Sequence, residues 1–566
     1  MKDLKKEISN LLIKNDVGLK EDEIISLIEI PPNQEMGDFA FPCFTLAKKF
    51  RKNPAIIAKE IASEIESDLF EKIENVNAYI NFYVDKKYFV NNVINEVLEQ
   101  KYNYGSSNMG QGKNIILEYS SPNIAKPFHI GHIRTTIIGD VIKRVYKHLG
   151  YNTIAINYIG DYGTQFGVMI AAYKLWGDKE KINKDPINEL LNLYVRYNKE
   201  AEENPEMMDK AREYFNKLEN NDAQAVELWT WFKEISLREF ERVYKLLNIE
   251  FDNYNGEAYS SKWIPDVIEE LKQKELLTYS DGAYIVDLEK YDLTPVIIIK
   301  SNNSSTYITR DIATAINRMR EYNYDENIYV VATQQNLHFQ QWKKVLELMG
   351  YDFFDKCIHV GFGMVSMKGG TLSTRKGQVI FLEDVLNKAI EKTKEIIENR
   401  NEEIENKDEV AQKVGIGAVK FQELYNSRIK DYVFDWVEVL NFDGETGPYV
   451  QYTYARAKAV LRKANYKQEF KDLSYDDITS DIEYSLVKSL ESFKDSIIRA
   501  KDKYEPSIVT RKVTEIAKNF NKFYNNISIL VDDENLKNQR LNLTYATSIV
   551  IKTGLGLLGI DTVEKM

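Results

Sequence analysis

The stretch SSPNIAKPFHIGHIRTTIIGD, residues 120–140, places two of the five histidines of the chain, His129 and His132, three positions apart. It follows the apolar run NIILEY, which has the length of a strand, and helical periodicity begins at about Ile130. This order predicts that both imidazoles share one face near the amino end of a helix, where unpaired backbone N–H groups attract anions. Gly131 lets a bulky ligand approach the backbone closely. The stretch therefore predicts a site for phosphate groups.

The same stretch has a simpler interpretation, in which the two histidines are incidental residues of a first helical turn. Histidine and glycine are sparse enough in this chain that H-x-G-H is uncommon by chance, so the motif is informative. Two other phosphate-binding patterns are missing. The segments GFGMVS at 361 and GIGAVK at 415 lack the third glycine of the dinucleotide fingerprint, and no G-x-x-x-x-G-K-[ST] sequence occurs.

Short apolar runs alternate with helical periodicity after Lys113, and this alternation predicts a doubly wound parallel sheet. The predicted strands of that sheet are NIILEY, NTIAINYI, PVIIIK, NIYVVAT and CIHVGF. A long charged stretch, about 175–290, separates the second run from the third and is interpreted as an insertion into the sheet. After about Asn387 the periodicity is helical and predicts no further strand.

The predicted fold class is a multidomain α/β protein built on a Rossmann-type parallel sheet with an insertion. Residues 1–110 form a small α+β domain, which includes the strand AYINFYV and ends in the linker YGSSNMGQGK. The predicted domains that follow are a nucleotide-binding domain at 111–386, a helical connector at 387–435 and an all-helical domain at 436–566.

Composition limits the class of protein. Only Cys43 and Cys357 occur, which argues against a disulfide framework or a cysteine zinc cluster and predicts a reducing cytoplasm. No window has the apolar length of a membrane span, and the amino end does not read as a secretion signal. The net charge of −12 argues against indiscriminate nucleic-acid binding. The basic, tyrosine-containing segment 451–467 is consistent either with a solvated helix face or with one that contacts RNA.

Several motifs occur in the order known from one family. SSPNIAKPFHIGH resembles the HIGH signature of class I aminoacyl-tRNA synthetases, and that of the arginyl-tRNA synthetases in particular. PPNQEMGDFAFP (31–42) is similar to the amino-terminal domain of that family, and NYIGDYGTQFG (157–167) to the segment after the HIGH helix. DYVFDW (431–436) and GETGPYVQYTYAR (444–456) resemble the entrance to its anticodon-binding domain. The resemblance covers nearly the whole chain.

The second signature of the family, KMSKS, is where this chain departs from the pattern. In SMKGGTLSTRKGQ, Leu372 and Ser373 align with its methionine and serine, while Thr371 and Thr374 stand at the two lysine positions. A lysine there would stabilise the negative charge of the departing pyrophosphate. The candidates to replace that charge are Arg375, Lys376 and Lys126. The resemblance implies a compensating role for Lys126, because arginyl enzymes commonly carry a lysine at that place.

A site for a guanidinium group needs carboxylates and neutral acceptors, because the group is planar, always charged and offers five donors. The resemblance implies such a pocket in this chain, made of Glu118, Asn123, Tyr307, Asp311 and Gln335. On sequence alone each has an ordinary role, such as a strand-end acid or a helix-start carboxylate. Lysine and citrulline should be refused by such a pocket without an editing domain, since a lost partner leaves buried acceptors unpaired.

The resemblance implies that the chain uses ATP with Mg²⁺ to convert arginine into arginyl-adenylate, then transfers it to the terminal 2′-hydroxyl of tRNA(Arg). The implied catalytic residues are His129, His132, Lys126, Ser373, Arg375 and Lys376. The implied ATP-binding residues are Pro122, Asn123, His129, Gly131, His132, Gly363 and Met364. The implied tRNA-binding residues are Tyr454, Arg456 and Met566, with residues 1–110 at the tRNA elbow. We expect a cytoplasmic monomer with no protein-bound metal and no membrane partner.

Two other functions are compatible with parts of the sequence. One is another enzyme of the HIGH superfamily, such as a cysteinyl or glutamyl synthetase or a small nucleotidyltransferase. The cysteinyl case would need zinc-binding cysteines, and a small transferase would have no use for the long helical end. The other is a tRNA-binding paralogue without catalytic activity, an alternative that the missing KMSKS lysines leave open.

Overall fold

The protein folds into two compact units, each assembled from separate stretches of the chain. The computed structural model describes residues 4–31, 36–301, 304–367, 381–399, 404–441, 444–467 and 474–566. The first unit comprises Met1–Tyr104, Arg456–Ser492 and Glu515–Ile551. The second unit comprises Gly105–Ala455, Phe493–Thr514 and Lys552–Met566.

The first unit contains a three-stranded antiparallel sheet and confirms the strand predicted at 78–84. Its strands are β1 (Phe39–Pro42), β2 (Phe70–Val76) and β3 (Tyr79–Val84), with β3 in the centre. The central strand is rich in aromatic and β-branched residues, and Ile80 and Phe82 are fully buried. The helices that lie entirely in this unit are α1 (Leu4–Lys14), α2 (Glu21–Leu27), α3 (Ala47–Phe50), α4 (Pro54–Glu64), α5 (Lys86–Gln100) and α20 (Asp481–Glu491).

The second unit is organised by a four-stranded parallel sheet, as the alternating pattern predicts. Its strands are β4 (Asn114–Glu118), β5 (Asn152–Ile156), β9 (Glu326–Ala332) and β10 (Cys357–Phe362). Their order in space is β10, β9, β4, β5, so the chain winds to one side after β4 and returns to the other side at β9. Ligands of such sheets bind outside the carboxyl ends of the strands at this switch point. The end of β4 and the end of β9 therefore mark the expected site.

Helices pack against this sheet and make up most of the stretch between β5 and β9. The helices up to β9 are α6 (Ile133–His148), α7 (Thr164–Trp176), α8 (Lys179–Lys184), α9 (Pro186–Glu203), α10 (Glu206–Glu219), α11 (Ala223–Leu246), α12 (Glu257–Ser261), α13 (Ile264–Gln273) and α14 (Tyr307–Tyr322). Those after β9 are α15 (Asn336–Leu348), α16 (Leu382–Asn399), α17 (Lys407–Tyr425), α18 (Trp436–Val439) and α21 (Phe493–Asp502). Three helices contain residues of both units: α19 (Gly447–Lys463), α22 (Ser507–Asn526) and α23 (Glu534–Leu557).

One predicted strand belongs to a different sheet. The run PVIIIK forms β8 (Val296–Ile299), which pairs antiparallel with β7 (Ala283–Val286), itself paired with β6 (Thr278–Ser280). Its placement in the parallel sheet was therefore wrong. An apolar run of four to six residues looks the same in either kind of sheet, and only the pairing partner distinguishes them.

A short strand also lies in the region predicted to be free of strands. β12 (Tyr432–Phe434) pairs in parallel with β11 (Val365–Met367), which follows β10. Three residues are too few for period-two alternation to be read from sequence. The rest of the described carboxyl-terminal region is helical, as predicted. None of the described helices combines the length and the apolar character that crossing a membrane requires.

Candidate functional site

The loop between β4 and α6 adopts backbone conformations that its side chains do not favour. Ser120, Ser121 and Ala125 have φ values of 72°, 48° and 56°, in the left-handed region. Such strain persists only where surrounding contacts hold it, and it concentrates at functional sites. Here the backbone N–H of Ser120 donates to Thr135 Oγ1 at 3.1 Å. The backbone N–H of Ala125 donates to Ser236 Oγ at 2.9 Å.

The next contacts connect this loop to the neighbouring elements of the second unit. Asn157, just after β5, accepts from the backbone N–H of Ser121 at 3.2 Å and donates to the hydroxyl of Tyr244 at 2.9 Å. The Tyr244 hydroxyl also lies 2.7 Å from Ser120 Oγ. The loop is thus held from α6, α11 and the end of β5 together, and its direction is fixed before any ligand arrives.

The two histidines lie against each other at the end of this loop, as the spacing predicts. Their ring centroids are 3.9 Å apart, and His129 caps a short 3₁₀ turn (Ile130–His132) that leads into α6. The Nδ1 atom of His129 accepts from the backbone N–H of Gly131 at 3.1 Å. The Nδ1 atom of His132 accepts from the backbone N–H of His129 at 3.2 Å. Since both Nδ1 atoms are acceptors, each neutral ring carries its proton on Nε2 and offers one N–H donor.

Burial keeps both rings neutral. Loss of solvent lowers the pKa of His132 to about 3, with a smaller contribution from the nearby His129. Burial also lowers the pKa of His129. His132 stacks on Phe128 with centroids 5.2 Å apart, which accounts for part of this loss of solvent. The pair can therefore offer hydrogen-bond donors to an anion, but no positive charge.

Phe381 and Leu382 lie beside this pair. Phe381 forms an antiparallel bridge with His129, and the backbone N–H of Leu382 donates to the carbonyl of Phe128 at 3.0 Å. The residues Thr371, Leu372, Ser373, Thr374, Arg375 and Lys376, which the sequence analysis aligned with the second signature, lie outside the described residues. Of the candidate cations, Lys126 is described, and its ammonium lies 5.2 Å from the ring centre of Tyr194. Burial lowers the pKa of Lys126.

The remaining residues expected at ATP lie near the same edge of the sheet. Pro122 accepts from the backbone N–H of Gly160 at 3.1 Å, and Asn123 is exposed beside Gly160. Gly363 and Met364 follow β10, and the side chain of Met364 is half exposed. The carboxyl ends of β4 and β10 thus carry the expected ATP-binding groups, and their contacts with ATP stay a prediction.

The pocket predicted for arginine is built at the switch point, where β4 and β9 end. Glu118 is the last residue of β4, is 7 % exposed, and places Oε2 2.7 Å from Nη1 of Arg318. Burial raises the pKa of Glu118, the charge of Arg318 opposes this shift, and Asp311 adds to it. Asp311 therefore lies near enough to Glu118 for its charge to act on that carboxyl, although the two residues are 193 positions apart in the chain.

The other predicted residues lie on the first turns of α14 and α15. Asp311 Oδ2 is 2.5 Å from Nε2 of His338, which ties the start of α14 to that of α15. Tyr307 begins α14 and is 66 % exposed, and Gln335, also exposed, immediately precedes α15. The exposure of these two side chains leaves their polar ends available to a ligand.

Sequence reasoning missed four charged residues around this pocket. Asp161 is fully buried and pairs with Lys233 at 2.8 Å, while Glu257 lies 3.7 Å from Arg310. Burial raises the pKa of Glu257 to about 7; Arg310 opposes the shift, and Asp311, Asp161 and Glu118 reinforce it. The missed charged residues that bear on Glu118 or Glu257 are Asp161, Glu257, Arg310 and Arg318. Of these four residues, Asp161 could have been noticed in the sequence, because it lies in the family motif NYIGDYGTQFG.

The three residues predicted to bind tRNA have different environments. Tyr454 is 1 % exposed and donates to Glu564 at 2.9 Å, so in this arrangement no base stacks on its ring. Arg456 is partly buried and stacks on Tyr524 at 5.0 Å. Met566 packs against the buried cluster of Val414 and Val563. These placements favour a supporting role for Tyr454, and contact of all three with tRNA stays a prediction.

No group of three or more His, Cys, Asp and Glu side chains in the described part of the chain is arranged to hold a metal ion.

Comparison with known proteins identifies the family. A family model described as the catalytic domain of class I tRNA synthetases (R) matches residues 93–436. A DALR anticodon-binding domain matches 450–566, and an arginyl-tRNA synthetase N-terminal domain matches 2–84. A curated arginine–tRNA ligase of Halothermothrix orenii is 57 % identical, with all of both chains covered. The chain belongs to the arginyl-tRNA synthetase family.

Further relatives agree with this membership. A curated arginine–tRNA ligase of Clostridioides difficile is 54 % identical over the whole of both chains. The crystal structure of arginyl-tRNA synthetase from Plasmodium falciparum is 27 % identical with a TM-score of 0.79, covering 100 % of this chain and 99 % of that one. The arginyl-tRNA synthetase of Thermus thermophilus shares the fold, with a TM-score of 0.81, 24 % identity and the same coverage. The resemblance read from the motifs is confirmed, and a cysteinyl or glutamyl synthetase is excluded.

A methyl group at Gly131 should disable this synthetase without unfolding it. A Cβ there would lie 2.8 Å from Nδ1 and Cε1 of His129, so the ring must move and its Nε2–H donor is misdirected. We expect Gly131→Ala to lower kcat by about 10²-fold, the cost of losing one aligned donor. Steady-state charging of tRNA with arginine measures this decrease in kcat. Gly556→Ala, whose added methyl group meets no atom within 4 Å, is the control.

Arginine binding by this synthetase should strengthen as pH rises from 6 to 8. The carboxyl of Glu257, with a pKa of about 7, is protonated at the lower pH and ionised at the higher, and a cationic substrate favours the ionised form. The KM for arginine at saturating ATP and tRNA should fall several-fold across this range. Glu257→Gln should flatten the profile, whereas the exposed Glu250→Gln should leave it unchanged. An equally steep profile in Glu257→Gln would remove Glu257 from the explanation.

Proposed function

We propose that the carboxyl edge of the parallel sheet joins L-arginine to tRNA(Arg) in two steps, with Glu118 and Asp311 holding the substrate guanidinium and His129 and His132 facing the phosphates of ATP. As a member of its family, the chain is an arginine–tRNA ligase of class I. The observation that carries the assignment of the site is that the charge of Asp311 acts on Glu118 at the end of β4, the strand from which the chain leads into the loop with the two histidines. The sites for cation and triphosphate then share one edge of the sheet.

In the first step, the arginine carboxylate attacks the α-phosphate of ATP in line, and pyrophosphate leaves. The protein has little proton transfer to perform, so positioning and charge stabilisation account for most of the rate. The Nε2–H donors of His129 and His132 are aimed by their backbone contacts before ATP arrives. Lys126, three residues before His129, supplies a cation in place of the two lysines of the second signature, whose positions are occupied by Thr371 and Thr374.

In the second step, the terminal 2′-hydroxyl of the tRNA attacks the carbonyl carbon of arginyl-adenylate, so that an ester to arginine forms and AMP leaves together with the hydroxyl proton. ATP brings Mg²⁺ with its phosphates, and the ion supplies charge neutralisation there when bound. Asn123 and Met364, both exposed, are suited to contact the nucleotide. We further propose that the enzyme acts in the cytoplasm as a monomer.

Recognition of the tRNA body is assigned to residues 1–110, at its elbow, and to residues 436–566, at its anticodon. A cavity of about 510 Å³ in the first unit supports a nucleic-acid surface in the second of these regions. Lys458, Arg462 and Lys467 line it together with Tyr466 and Tyr545. Cations and aromatic rings in one groove suit phosphates and unstacked bases. This favours the hypothesis that the basic helix face of segment 451–467 contacts RNA.

Loss of the His132 side chain should abolish most of the activation step. His132→Ala removes a donor held at the phosphate site, so arginine-dependent and tRNA-dependent pyrophosphate exchange should fall by about 10²–10³-fold. The Kd for tRNA should stay within about twofold of the wild type, because the tRNA surface does not depend on this ring. His148→Ala, at the other end of α6 and about 24 Å away along the helix, is the matched control. Wild-type exchange in His132→Ala would take the histidine out of the mechanism, and absence of arginine charging by the wild type would favour the inactive paralogue.

Charge reversal in the basic groove should weaken tRNA binding alone. Arg462 and Lys467 are exposed, so Arg462→Glu with Lys467→Glu should raise the KM for tRNA about tenfold or more at low salt, and less at high salt. The KM values for arginine and ATP should not change. Lys199→Glu with Lys272→Glu, an equal charge change on exposed residues of the second unit, is the control. An unchanged tRNA KM in the groove variant would assign the groove no role in tRNA binding.

A further inference from the structure

Arg318 is a cation in an unusual position, at the base of a pocket proposed to receive a cation. It lies on α14, is 4 % exposed, and places Nη1 2.7 Å from Oε2 of Glu118. Neither Nη1 nor Nη2 has a partner in good hydrogen-bond geometry among the described residues. The contact with Glu118 is therefore an ion pair between two buried groups, and no other acidic side chain holds the guanidinium by a described ion pair.

Two tyrosines fix where this guanidinium lies. Its carbon is 5.4 Å from the ring centre of Tyr158 and 5.7 Å from that of Tyr329. Tyr329 is the direct partner of Glu118 across the β4–β9 pairing, and Tyr158 follows β5. Stacking on aromatic faces suits a planar guanidinium and would not be reproduced by a lysine ammonium. The guanidinium of Arg318 is thus contacted by the end of β4, by β9 and by the segment after β5.

A buried carboxylate without a nearby cation loses its charge. Desolvation raises the pKa of Glu118, and the charge of Asp311 raises it further. The positive charge of Arg318 is the largest effect that lowers the pKa of Glu118. A neutral Glu118 would accept hydrogen bonds from a guanidinium but would not form a salt bridge with it.

We infer that Arg318 is a positioning residue of the arginine pocket, which holds one oxygen of Glu118 in place so that the other oxygen receives the guanidinium of the substrate. This inference rests on the proposed place of Glu118 in that pocket. Arg318 acts through Glu118 and touches no reacting atom. Its charge repels the incoming cation, and the surplus of carboxylates at Glu118, Asp161, Glu257 and Asp311 offsets this repulsion.

The test separates arginine binding from the rest of the reaction. Arg318→Met keeps the length of the side chain and removes the charge, so the KM for arginine should rise about tenfold or more. The kcat and the KM for ATP should stay within about threefold, because the histidine pair is untouched. Arg318→Lys should give an intermediate KM, since it restores the charge without the planar fork. Arg320→Met, an exposed arginine two residues further on the same helix, should match the wild type.

A double-mutant cycle shows whether Arg318 acts through Glu118. Glu118→Gln alone should raise the KM for arginine, and adding Arg318→Met to it should raise the value by no more than about twofold. The double variant leaves no unpaired buried charge, so it and Arg318→Lys remain measurable if Arg318→Met does not fold. Thermal unfolding of each variant separates loss of folding from loss of binding.

The outcomes distinguish this inference from the proposed site. An unchanged arginine KM in Glu118→Gln would overturn the proposed pocket and the inference with it. A raised KM in Glu118→Gln beside an unchanged KM in Arg318→Met and Arg318→Lys would overturn the inference alone. A lower KM in Arg318→Met would also overturn it, because Arg318 would then be a competitor of the substrate.

Discussion

Two backbone N–H groups determine which nitrogen carries the proton at the proposed phosphate site, because each donates to Nδ1 of one histidine and leaves the proton on Nε2. The loop that leads to these histidines contains left-handed residues at Ser120, Ser121 and Ala125. Buried hydroxyl and amide groups on α6, α11 and the end of β5 hold this loop. The orientation of the two imidazole donors therefore depends on how the second unit packs, and not on the histidines alone.

The pocket for arginine follows a different principle, which is compensation of buried charge. Glu118, Asp161 and Asp311 each lie against a basic side chain of the protein itself, namely Arg318, Lys233 and His338. For Glu118, the charge of Arg318 opposes the rise in pKa that burial causes, and the carboxylate oxygen that Arg318 does not contact keeps lone pairs for a ligand. The switch point between β4 and β9 brings these groups to one edge, although they come from widely separated parts of the chain.

Much of this could be predicted from the sequence, for identifiable reasons. The strand, loop and helix around His129 follow from local periodicity, and Glu118, Asp311 and Gln335 could be placed because family motifs flank them. Local patterns failed where a partner distant in sequence decides the outcome. They assigned β8 to the wrong sheet, missed the three-residue β12, and gave no sign of Arg318, whose role depends on Glu118 two hundred positions earlier. Tyr454 was predicted to stack on a base of the tRNA. The helical periodicity of its segment does not show that the ring is buried and that its hydroxyl donates to Glu564.

The bridge between Phe381 and His129 and the pairing of β11 with β12 involve main-chain atoms only. Val365, Ser366 and Met367 on one side of residues 368–380, and Phe381 on the other, are therefore held by contacts that do not depend on side-chain identity. Of the three cations proposed to compensate for the two missing signature lysines, Lys126 is the one among the described residues, and the strained loop that carries it is held by buried contacts with α6, α11 and the end of β5.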